Sequence, residues 1–543
     1  MNTQPPSTDS DLINALLAGH CPAIQADAIK LVETHISWVL LTDEHAYKIK
    51  KPVDFGFLDF STLAKRKQFC EEELRLNRRL AAHLYLGLFA ICGSINSPEL
   101  VPLESSEDHG NARIPPDSEI LDYAICMRRF PQSAQLDERL EAGLLTPENM
   151  DAIGTMLADF HESLPPADAS MHYGDVVHVT QPVADNFQVL HHFFEHSTNP
   201  NDTASLDTLN TLERWSEQQN QALNDTFIQR KQAGFIREGH GDLHLRNMIW
   251  MDDLPLAFDC LEFEADLRWT DVMCEIAFLI MDLQSRQHSA LAYRCLNQYL
   301  QQTGDYAGLR LLPYYLAYRA LVRAKVDALR HDQSGLDAQE TAETDRELHA
   351  YLELASTYSE PRTPHLMITR GLSASGKSTI SKPLAAELGA IRIRSDVERK
   401  RLYQLSADQS ASDLPEAGLY TAAASEATYQ HLLTLAETIL AAGFDVIIDA
   451  VFLKEEQRKP FQELANKHQY RFSILEFEAS ADTLRQRIQT RAKGVSDADL
   501  SILEYQLTQW QPLAADEAAA SCSINTEQRV DAKQLAARLQ LEA

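Results

Sequence analysis

The order of apolar and polar residues near the start of the chain predicts a pair of strands. Between residues 34 and 50, the apolar run ISWVLL precedes the polar turn TDEH and the alternating segment AYKIK. Alternation is typical of a strand with one buried face, and a short polar turn between two such runs indicates a hairpin. The charged stretch KRKQFCEEELRLNRRL then reads as a helix, and DYAICMRR, residues 122–129, reads as another strand. We therefore expect a small β-rich lobe at about residues 30–130.

Most of the sequence that follows has helical patterning. Residues 150–224 and 271–330 are predominantly of this kind, which gives a helical lobe at about residues 131–350. A polar, charge-rich segment at residues 331–347 and the helix-breaking SEPRTP then mark a change of domain near residues 355–363. The first predicted domain thus spans residues 1–355.

Beyond this boundary, short apolar runs alternate with helical stretches. A long helix is predicted at residues 422–442, and strands are predicted at residues 365–369, 391–394, 444–449 and 472–477. Strands that alternate with helices indicate a mostly parallel, doubly wound sheet. The second predicted domain, residues 363–543, is therefore of the α/β class.

The chain is strongly acidic. Its 49 basic and 79 acidic residues give a formal net charge of −30. Residues 1–350 carry 28 basic against 53 acidic residues, a net −25, and residues 351–543 carry 21 against 26, a net −5. A nucleic-acid scaffold needs a basic footprint, so that role is disfavoured. Solubility, a salty habitat and the attraction of cations all stay open as reasons for the acidity.

No feature of the sequence indicates a membrane or an oxidising compartment. The eight cysteines form no CxxC pair, so neither a zinc ribbon nor a disulfide framework is expected. The N-terminal MNTQPPSTDSD has neither a basic start nor an apolar core, and the most apolar stretch, residues 80–95, is too short to span a bilayer. We expect a cytoplasmic protein without membrane partners.

A first group of chemically suggestive residues lies in the segment HGDLHLRN. Asp242 on a loop could accept or orient a hydroxyl proton, and Asn247, five residues later, could hold a Mg²⁺ ion beside a transferring phosphate. Asp259 ends an apolar run and could supply a second metal ligand. Such a site also needs a lysine on an early strand, fixed by a glutamate from a helix. Lys48 and Lys50 share one face of the AYKIK strand, and both are candidates.

This set resembles the aminoglycoside phosphotransferase and choline kinase branch of the protein-kinase-like fold, over roughly residues 30–340. HGDLHLRN carries the most specific part of the resemblance. It implies a bilobal α+β domain that binds ATP. The roles that it implies are catalytic base for Asp242, Mg²⁺ ligands for Asn247 and Asp259, and phosphate-binding lysine for Lys48 or Lys50.

Glu73 is the best partner for that lysine, because apolar residues then fall three and seven positions later on the buried face of the helix. Two features depart from the family pattern. No glycine-rich loop precedes the lysines, where the turn is instead around residues 42–45, and Cys260 stands beside Asp259. An inactive, pseudokinase lobe stays open as the alternative.

The loop after Asp259 carries three further acids, Glu262, Glu264 and Asp266. Together they would raise the local concentration of a cationic acceptor. The alternative is that they face solvent or anchor the helical lobe.

A second group begins at Gly371, where GLSASGKS fits the pattern GxxxxGK[ST] between an apolar strand and a helix. The glycines let the backbone wrap an anion, so that N–H groups and the helix N-terminus face the phosphates. Lys377 would reach the β- and γ-phosphates, and the Ser378 hydroxyl would reach Mg²⁺. Asp449, at the end of the run VIID, is the expected carboxylate for that metal. The loop residues predicted to bind ATP are Gly371, Ser373, Ala374, Ser375, Gly376, Lys377, Ser378 and Thr379.

Residues after the second predicted strand of this half point to an acceptor. Asp396, at the edge that faces the phosphate loop, could take a proton from an acceptor hydroxyl, or could merely cap the next helix. Arg399 could bind an anionic group of the acceptor. Arg487 and Arg491, with Arg485, lie on one helical stretch. If this stretch is a lid, Arg487 and Arg491 would bind ATP and stabilise charge on the transferred phosphoryl group. The alternative is that the three arginines form a basic helix face exposed to solvent.

This half resembles the small P-loop kinases, a group that includes chloramphenicol phosphotransferase-, gluconate kinase- and polynucleotide kinase-like proteins, through GLSASGKST, RSDVERK and VIIDAVFLKEEQR. The order of the halves matches a fused family labelled bifunctional aminoglycoside phosphotransferase and ATP-binding protein. The resemblance implies two Mg²⁺-dependent sites, each of which transfers the γ-phosphate of ATP to a hydroxyl of a small molecule. The alternative is a regulatory protein in which one half is a nucleotide switch. The sequence indicates neither the acceptors nor the oligomeric state.

Overall fold

A computed structural model describes residues 8–24, 29–56, 58–105, 118–197, 202–331, 337–405, 421–490 and 500–541. The chain divides into two compact units, each built from several stretches. The N-terminal unit consists of Met1–Leu145, Phe160–Val179 and Thr226–Glu275. The C-terminal unit consists of Thr146–Asp159, Thr180–Asp225 and Ile276–Ala543.

The described secondary structure is mixed. The strands are β1 (Lys30–Glu33), β2 (Ser37–Leu41), β3 (His45–Lys50), β4 (Tyr85–Ser94), β5 (Ser97–Ser105), β6 (Ile120–Arg128), β7 (Ile236–Glu238), β8 (Met248–Met251), β9 (Leu254–Ala257), β10 (Trp269–Asp271), β11 (His365–Arg370), β12 (Ile391–Arg394), β13 (Val446–Asp449), β14 (Arg471–Glu478) and β15 (Ser521–Asn525). The helices are α1 (Thr8–Leu17), α2 (Leu63–Ala81), α3 (Leu136–Glu141), α4 (Pro147–Ser163), α5 (Val176–His196), α6 (Asp202–Ala222), α7 (Asn224–Gln232), α8 (Ala265–Arg268), α9 (Val272–Ser285), α10 (Ser289–Thr303), α11 (Leu312–His331), α12 (Ala338–Thr357), α13 (Lys377–Leu388), α14 (Ser395–Leu402), α15 (Ala422–Ala441), α16 (Glu455–His468), α17 (Ala481–Thr490), α18 (Leu500–Gln509), α19 (Ala515–Ala519) and α20 (Ala532–Leu541). Short 3₁₀ helices occupy Gln132–Ala134, Leu245–Asn247 and Tyr306–Arg310.

Strands β1 to β6 form an antiparallel sheet in the N-terminal unit, in the order β1-β2-β3-β6-β4-β5. The predicted hairpin is β2 and β3, with Val39 opposite Lys48. Thr42 closes its turn, because the Thr42 hydroxyl donates to the His45 carbonyl at 3.0 Å and accepts from the His45 N–H at 3.1 Å. The strand predicted at residues 122–129 corresponds to β6.

Both faces of this sheet are covered. On one face, Cys70 and Leu74 of α2 are buried in a cluster with Leu88 of β4. On the other face, Leu12 and Leu16 of α1 are buried in a second cluster. The apolar stretch at residues 80–95 thus comprises the end of α2 and strand β4, which lies between two cores. Among the residues that the structure describes, no helix combines the length and the apolar character needed to cross a membrane.

Strands β11 to β15 form the sheet of the C-terminal unit, in the order β12-β13-β11-β14-β15, and every neighbouring pair is parallel. Leu384 of α13 and Leu535 of α20 are buried with Met367 and Ile447 of the sheet. The predicted strands and the helix at 422–442 are present, and β15 was not predicted because the segment SCSIN has only two apolar residues. The predicted fold class is confirmed: an α+β part with an antiparallel sheet precedes an α/β part with a parallel sheet.

Within the C-terminal unit, helix α10 packs against the edge of the parallel sheet. Asn297 Nδ2 donates to the Ala390 carbonyl at 2.9 Å, and Asn297 Oδ1 accepts from the Arg392 N–H at 2.6 Å. The side-chain amide therefore pairs with the free backbone edge beside β12. Helices and the P-loop part thus share one compact unit, and the domain boundary at residues 355–363 stays a prediction about where independently folding parts meet.

Candidate active sites

In the N-terminal unit, two lysines of β3 contact a single buried glutamate. The alternation of β3 puts Lys48 and Lys50 on the same face, and α2 presents Glu73 to both. Lys48 Nζ donates to Glu73 Oε1 at 2.8 Å, and Lys50 Nζ donates to Glu73 Oε2 at 2.6 Å. Because Glu73 is fully buried, each carboxylate oxygen depends on a lysine in place of water.

The two lysines differ in their second partner. Lys48 also donates to Asp259 Oδ1 at 2.5 Å, and the Asp259 side chain is 48% exposed. Lys50 instead donates to the buried Glu262, and its Nζ lies 4.8 Å from the centre of the Phe60 ring. The Lys48 side chain is 12% exposed and that of Lys50 only 1%. Lys48 is therefore the lysine that a ligand can reach.

The charges of this cluster support one another. Burial by itself raises the pKa of Glu73, but Lys48 and Lys50 outweigh burial and hold that pKa below the ordinary carboxyl range. Burial by itself lowers the pKa of Lys48, and the nearby carboxylates, first Asp259, raise it well above its usual value. Burial raises the pKa of Glu262 despite its contact with Lys50. Lys48 and Glu73 are thus both charged at neutral pH.

The segment HGDLHLRN leads from β7 into a short 3₁₀ turn. Asn247 Nδ2 donates to Asp242 Oδ2 at 2.8 Å, and His244 Nε2 lies 3.4 Å from the same oxygen. The Asp242 side chain is 32% exposed, whereas Asn247 is buried. The Asn247 carbonyl accepts from the Phe258 N–H at 2.9 Å, which joins the loop to the residue before Asp259.

A buried glutamate that sequence reasoning missed holds this loop. Glu275 of α9 accepts from the His240 N–H with both carboxylate oxygens, at 2.7 and 2.8 Å. Burial by itself raises the pKa of Glu275, but its contacts with His161 and His240 hold that pKa at about 2. A Cβ at Gly239 would lie 1.7 Å from Glu275 Oε2, so the close approach requires glycine. The available signal was a lone acid inside the apolar run VMCEIAFLI.

Helix α2 is also tied to the segment around Asp259. Asn77 Oδ1 accepts from the Cys260 N–H at 2.9 Å, and Asn77 Nδ2 donates to the Glu73 carbonyl at 2.8 Å. The Tyr85 hydroxyl accepts from the Asp259 N–H at 3.2 Å. Asp259 has a φ of +62°, in the left-handed region that non-glycine residues seldom adopt. Strained backbone of this kind, held by surrounding bonds, is concentrated at functional sites.

The three acids that follow Asp259 have separate partners. Glu262 is buried against Lys50. The Glu264 side chain accepts from the Asp266 N–H at 3.4 Å, where α8 begins. Asp266 Oδ1 lies 2.9 Å from His172 Nε2. This arrangement favours the anchoring role over a shared acidic surface.

The second site lies in the C-terminal unit, where β11 ends and α13 begins. The loop between them turns through Ala374, at a φ of +63°, and Gly376, at a φ of +89°, which is the N-cap of α13. Lys377 Nζ donates to the carbonyls of Gly371 and Leu372, at 2.9 and 2.8 Å. The predicted P-loop signature therefore forms a strand–loop–helix turn.

Other residues of the loop divide into buried and accessible positions. Ser375 is buried, whereas Ser378 and Thr379 are exposed at the start of α13. The Ser373 N–H donates to Oε1 of Gln506 at 2.8 Å. Gln506 belongs to α18 and was not among the predicted site residues.

Asp449 ends β13, as predicted, and is buried. Asp449 Oδ2 accepts from Arg392 Nη2 at 2.7 Å and from the Ser381 hydroxyl at 3.0 Å. Burial by itself raises the pKa of Asp449, but Arg392 outweighs burial and the pKa lies below the ordinary value. Sequence reasoning missed Arg392, for which the alternating IRIR of β12 carried a signal.

One cavity of about 1290 Å³ collects most of the predicted residues of this half. Its walls include Ser373, Ala374, Ser375, Gly376, Lys377, Ser378, Thr379, Asp396, Arg399, Asp449 and Arg487. Asp396 is the second residue of α14, after the N-cap Arg394, so it does not take the N-cap position that was its alternative.

The arginines have different surroundings. Arg487 Nη1 donates to the Ala374 carbonyl of the phosphate loop at 3.2 Å, and its Nη2 donates to the Thr526 carbonyl at 2.7 Å. Arg485 pairs with the exposed Glu504 at 2.8 Å, which fits the solvated face. Arg491 lies outside the described residues.

Comparison with known proteins gives both family and structural similarities. The AAA_33 family, described as an AAA domain, matches residues 366–513. Uncharacterized protein Rv2004c of Mycobacterium tuberculosis (strain ATCC 25618 / H37Rv) is 31% identical over 513 residues, which is 94% of this chain and 93% of the relative. Uncharacterized protein Mb2027c of Mycobacterium bovis (strain ATCC BAA-935 / AF2122/97) gives the same values of 31%, 94% and 93%.

Two solved structures are similar to different parts of the chain. A choline/ethanolamine kinase family protein from Mesorhizobium loti covers 64% of this chain and 99% of its own, at 10% identity and a TM-score of 0.34. A sugar kinase from Janibacter sp. HTCC2649 covers 33% of this chain and 93% of its own, at 22% identity and a TM-score of 0.26.

Proposed function

The chain belongs to the same family as the mycobacterial proteins Rv2004c and Mb2027c, and from this premise we propose that it is an ATP-dependent phosphotransferase with two nucleotide sites. In this proposal an aminoglycoside phosphotransferase-like part is fused to the P-loop part that matches the AAA_33 family. Each site transfers the γ-phosphate of ATP to a hydroxyl group of a small molecule. The hydroxyl oxygen forms the new P–O bond, ADP leaves with the electrons of the broken bond, and the hydroxyl proton passes to an aspartate.

In the N-terminal site, we assign the phosphate contact to Lys48. Its side chain is accessible and already neutralises the exposed Asp259, whereas Lys50 is enclosed with Glu262. Glu73 orients Lys48 and keeps it charged. Asp242, whose carboxylate is oriented by Asn247, accepts the acceptor proton.

In the C-terminal site, the loop around Lys377 binds the phosphates of ATP, and Arg487, on the wall of the same cavity, supports the loop through its bond to the Ala374 carbonyl. Asp396 accepts the proton of the acceptor. Arg399, on the wall of the same cavity, binds an anionic group of the acceptor.

The oxygen donors of both sites suit Mg²⁺. Asn247 and Asp259 would hold it in the first site. Because the Asn247 Nδ2 donates to Asp242, the Asn247 Oδ1 faces away from Asp242 and is left to bind the ion. Ser378 and Asp449 line the second cavity, and the three bonds to Asp449 all end on Oδ2. When bound, Mg²⁺ neutralises charge on the transferring phosphate.

The observation that carries the proposal is the cavity of about 1290 Å³, on whose walls the phosphate loop stands together with Asp396 and Arg399. Transfer requires a nucleotide and an acceptor in one space, with a base for the proton. A nucleotide switch needs only the first of these.

The test is release of ADP against a panel of sugars, aminoglycosides, nucleosides and amino alcohols. Asp242→Asn should lower turnover by about 10²–10⁴-fold for acceptors of the first site, and Asp396→Asn should do the same for acceptors of the second. Asp207→Asn, at an exposed position of α6, is the matched control and should leave both activities unchanged. Turnover that no acceptor stimulates would favour the regulatory alternative, and stimulated turnover that survives both substitutions would contradict the assigned bases.

A further inference from the structure

Two histidines and an aspartate converge on the surface of the N-terminal unit, outside the residues assigned to phosphoryl transfer. His172 lies in the loop before α5, His178 in the first turn of α5, and Asp266 in α8. One ligand atom from each side chain lies within 4.8 Å of the other two. The rings of His172 and His178 are 4.5 Å apart, and His172 Nε2 is 2.9 Å from Asp266 Oδ1.

The loop that carries His172 is held in place by its neighbours. Tyr173 stacks on Trp269 with ring centres 5.2 Å apart and planes within 5° of parallel. Lys231 Nζ donates to the Met171 carbonyl at 2.6 Å and to Asp175 Oδ1 at 2.5 Å. Contacts therefore fix the residues on both sides of His172, so that bringing the ligands together costs little additional ordering.

We infer that His172, His178 and Asp266 form a binding site for a divalent transition-metal ion, with Zn²⁺ as the ion that fits the donors best. Imidazole nitrogen together with carboxylate oxygen suits Zn²⁺, whereas Mg²⁺ and Ca²⁺ take oxygen ligands. Three protein ligands leave a fourth position for water or another small ligand. This site is separate from the phosphate sites and does not rest on the proposed function.

The distances are compatible with this ion after a small adjustment. Ligand atoms about 2.0–2.2 Å from a tetrahedral Zn²⁺ lie about 3.3–3.6 Å from one another. The separations here reach at most 4.8 Å, and all three side chains are exposed, so rotation about side-chain bonds can close the difference. The His172 and Asp266 side chains are 52% and 44% exposed, which gives an ion direct access from solvent.

The arrangement has a simpler explanation, a surface hydrogen bond between His172 and Asp266 with the ring of His178 tilted beside that of His172. The two explanations predict different behaviour toward metal. A hydrogen-bonded pair loses nothing when His178 is removed, whereas a three-ligand site loses a ligand. His178 is therefore the most informative position.

The experiment titrates the full-length protein with Zn²⁺ against a chromophoric chelator, in excess Mg²⁺ so that oxygen sites are occupied. All proteins carry His192→Ala, because the exposed His192 and His196, four residues apart on α5 with ring centres 4.3 Å apart, could chelate the same ion. The eight cysteines are buried and do not compete. The expected result is binding of one Zn²⁺ by this background protein.

Three variants should each weaken Zn²⁺ binding: His172→Ala, His178→Ala and Asp266→Asn. Loss of a residue that hydrogen-bonds a metal ligand weakens binding about 10–100-fold, and loss of a ligand itself should cost more. His83→Ala, at an exposed histidine outside the cluster, is the matched control and should leave the affinity unchanged. Circular dichroism of each variant confirms folding, which the exposure of the residues favours. Absence of saturable Zn²⁺ binding, or equal affinity in the background protein and His178→Ala, would overturn the inference.

Discussion

Replacement of Lys50 and Lys48 by methionine, one at a time, should separate the stability of the first site from its affinity for nucleotide. Methionine keeps an unbranched apolar side chain and removes the charge. The two lysines bind the same glutamate but differ in burial and in their second carboxylate, Glu262 for Lys50 and Asp259 for Lys48. Lys50→Met should therefore mainly lower the stability of the site, and Lys48→Met should mainly lower its affinity for nucleotide.

The magnitudes follow from the exposure of the carboxylate left behind. Lys50→Met leaves Glu262 buried without its ammonium partner, and removal of one side of a buried ion pair costs about 3–5 kcal/mol of the free energy of unfolding. Lys48→Met leaves Asp259 hydrated but leaves the buried Glu73 Oε1 without its lysine, while Lys50 still pairs with Oε2. The loss should therefore be smaller, about 1–3 kcal/mol.

The pH dependence of Lys50→Met has a definite sign. Without Lys50, burial raises the pKa of Glu262 in the folded state above its value in the unfolded chain, as it already does with Lys50 present. A group with a raised folded-state pKa stabilises the folded state at low pH and loses that contribution as pH rises. The destabilisation should therefore be smallest below about pH 4.3 and should grow as pH rises above it.

Hydrogen exchange of peptides from β3 and α2 measures the stability of this region apart from the rest of the chain. Nucleotide affinity is measured with a fluorescent ATP analogue in the Lys377→Ala background, so that only the first site reports. Lys48→Met should weaken binding about tenfold or more, since a hydrogen bond to a charged group is worth about 1.5–3 kcal/mol. Lys50→Met should bind nearly as the parent does wherever it is folded.

Lys51→Met is the matched control, because Lys51 continues the same segment but pairs with Glu33, which is 58% exposed. It should change neither quantity appreciably. Equal destabilisation by Lys48→Met and Lys50→Met would refute the reasoning from burial. Loss of nucleotide binding in Lys50→Met, with exchange protection of β3 and α2 intact, would refute the choice of Lys48.

Three further outcomes are expected. Asn297→Ala removes both bonds to the backbone beside β12 and should speed hydrogen exchange in residues 391–402, at a cost of about 1–3 kcal/mol, whereas Gln298→Ala should not. Gly239→Ala should lower the melting temperature and the activity of the first site together, because its Cβ would overlap Glu275 Oε2; a variant with unchanged melting temperature would show that the loop adapts. His365 is buried, and burial lowers its pKa to about 4, so the unfolded chain binds more protons than the folded chain at acidic pH. The free energy of unfolding should therefore decrease as pH is lowered from about 6.5 to about 4. His365→Asn should flatten that pH dependence in urea titrations.

Local patterns were enough to predict the elements that carry the sites. The hairpin β2–β3, strand β6 and four strands of the parallel sheet follow from apolar alternation or short apolar runs, because a residue's face is set by its place in the strand. The P-loop signature likewise predicts the turn at Ala374 and Gly376, since its glycines specify the backbone.

Residues that depend on a distant partner could not be predicted in this way. Alternation puts Lys48 and Lys50 on one face and gives no reason to choose between them; the difference comes from Glu262, more than 200 positions away in sequence. Glu275 and Arg392 were missed for the same reason. Each is a charged residue in an apolar setting, and only the tertiary fold supplies the loop or the carboxylate that it binds.

The contacts of helix α10 and the 3₁₀ helix Tyr306–Arg310 suggest a structural reason for joining helices to the P-loop part. The Arg401 guanidinium donates to the Gln301 carbonyl at 2.5 Å, and the Tyr306 hydroxyl donates to Glu398 Oε1 at 3.2 Å. Together with the amide of Asn297, these bonds hold β12 and α14, the segment that carries Asp396, from both ends. An edge strand with unpaired backbone groups holds the residue that follows it less rigidly than a central strand would. Because a base must be positioned precisely, the bonds from the helices to this edge should help to fix Asp396.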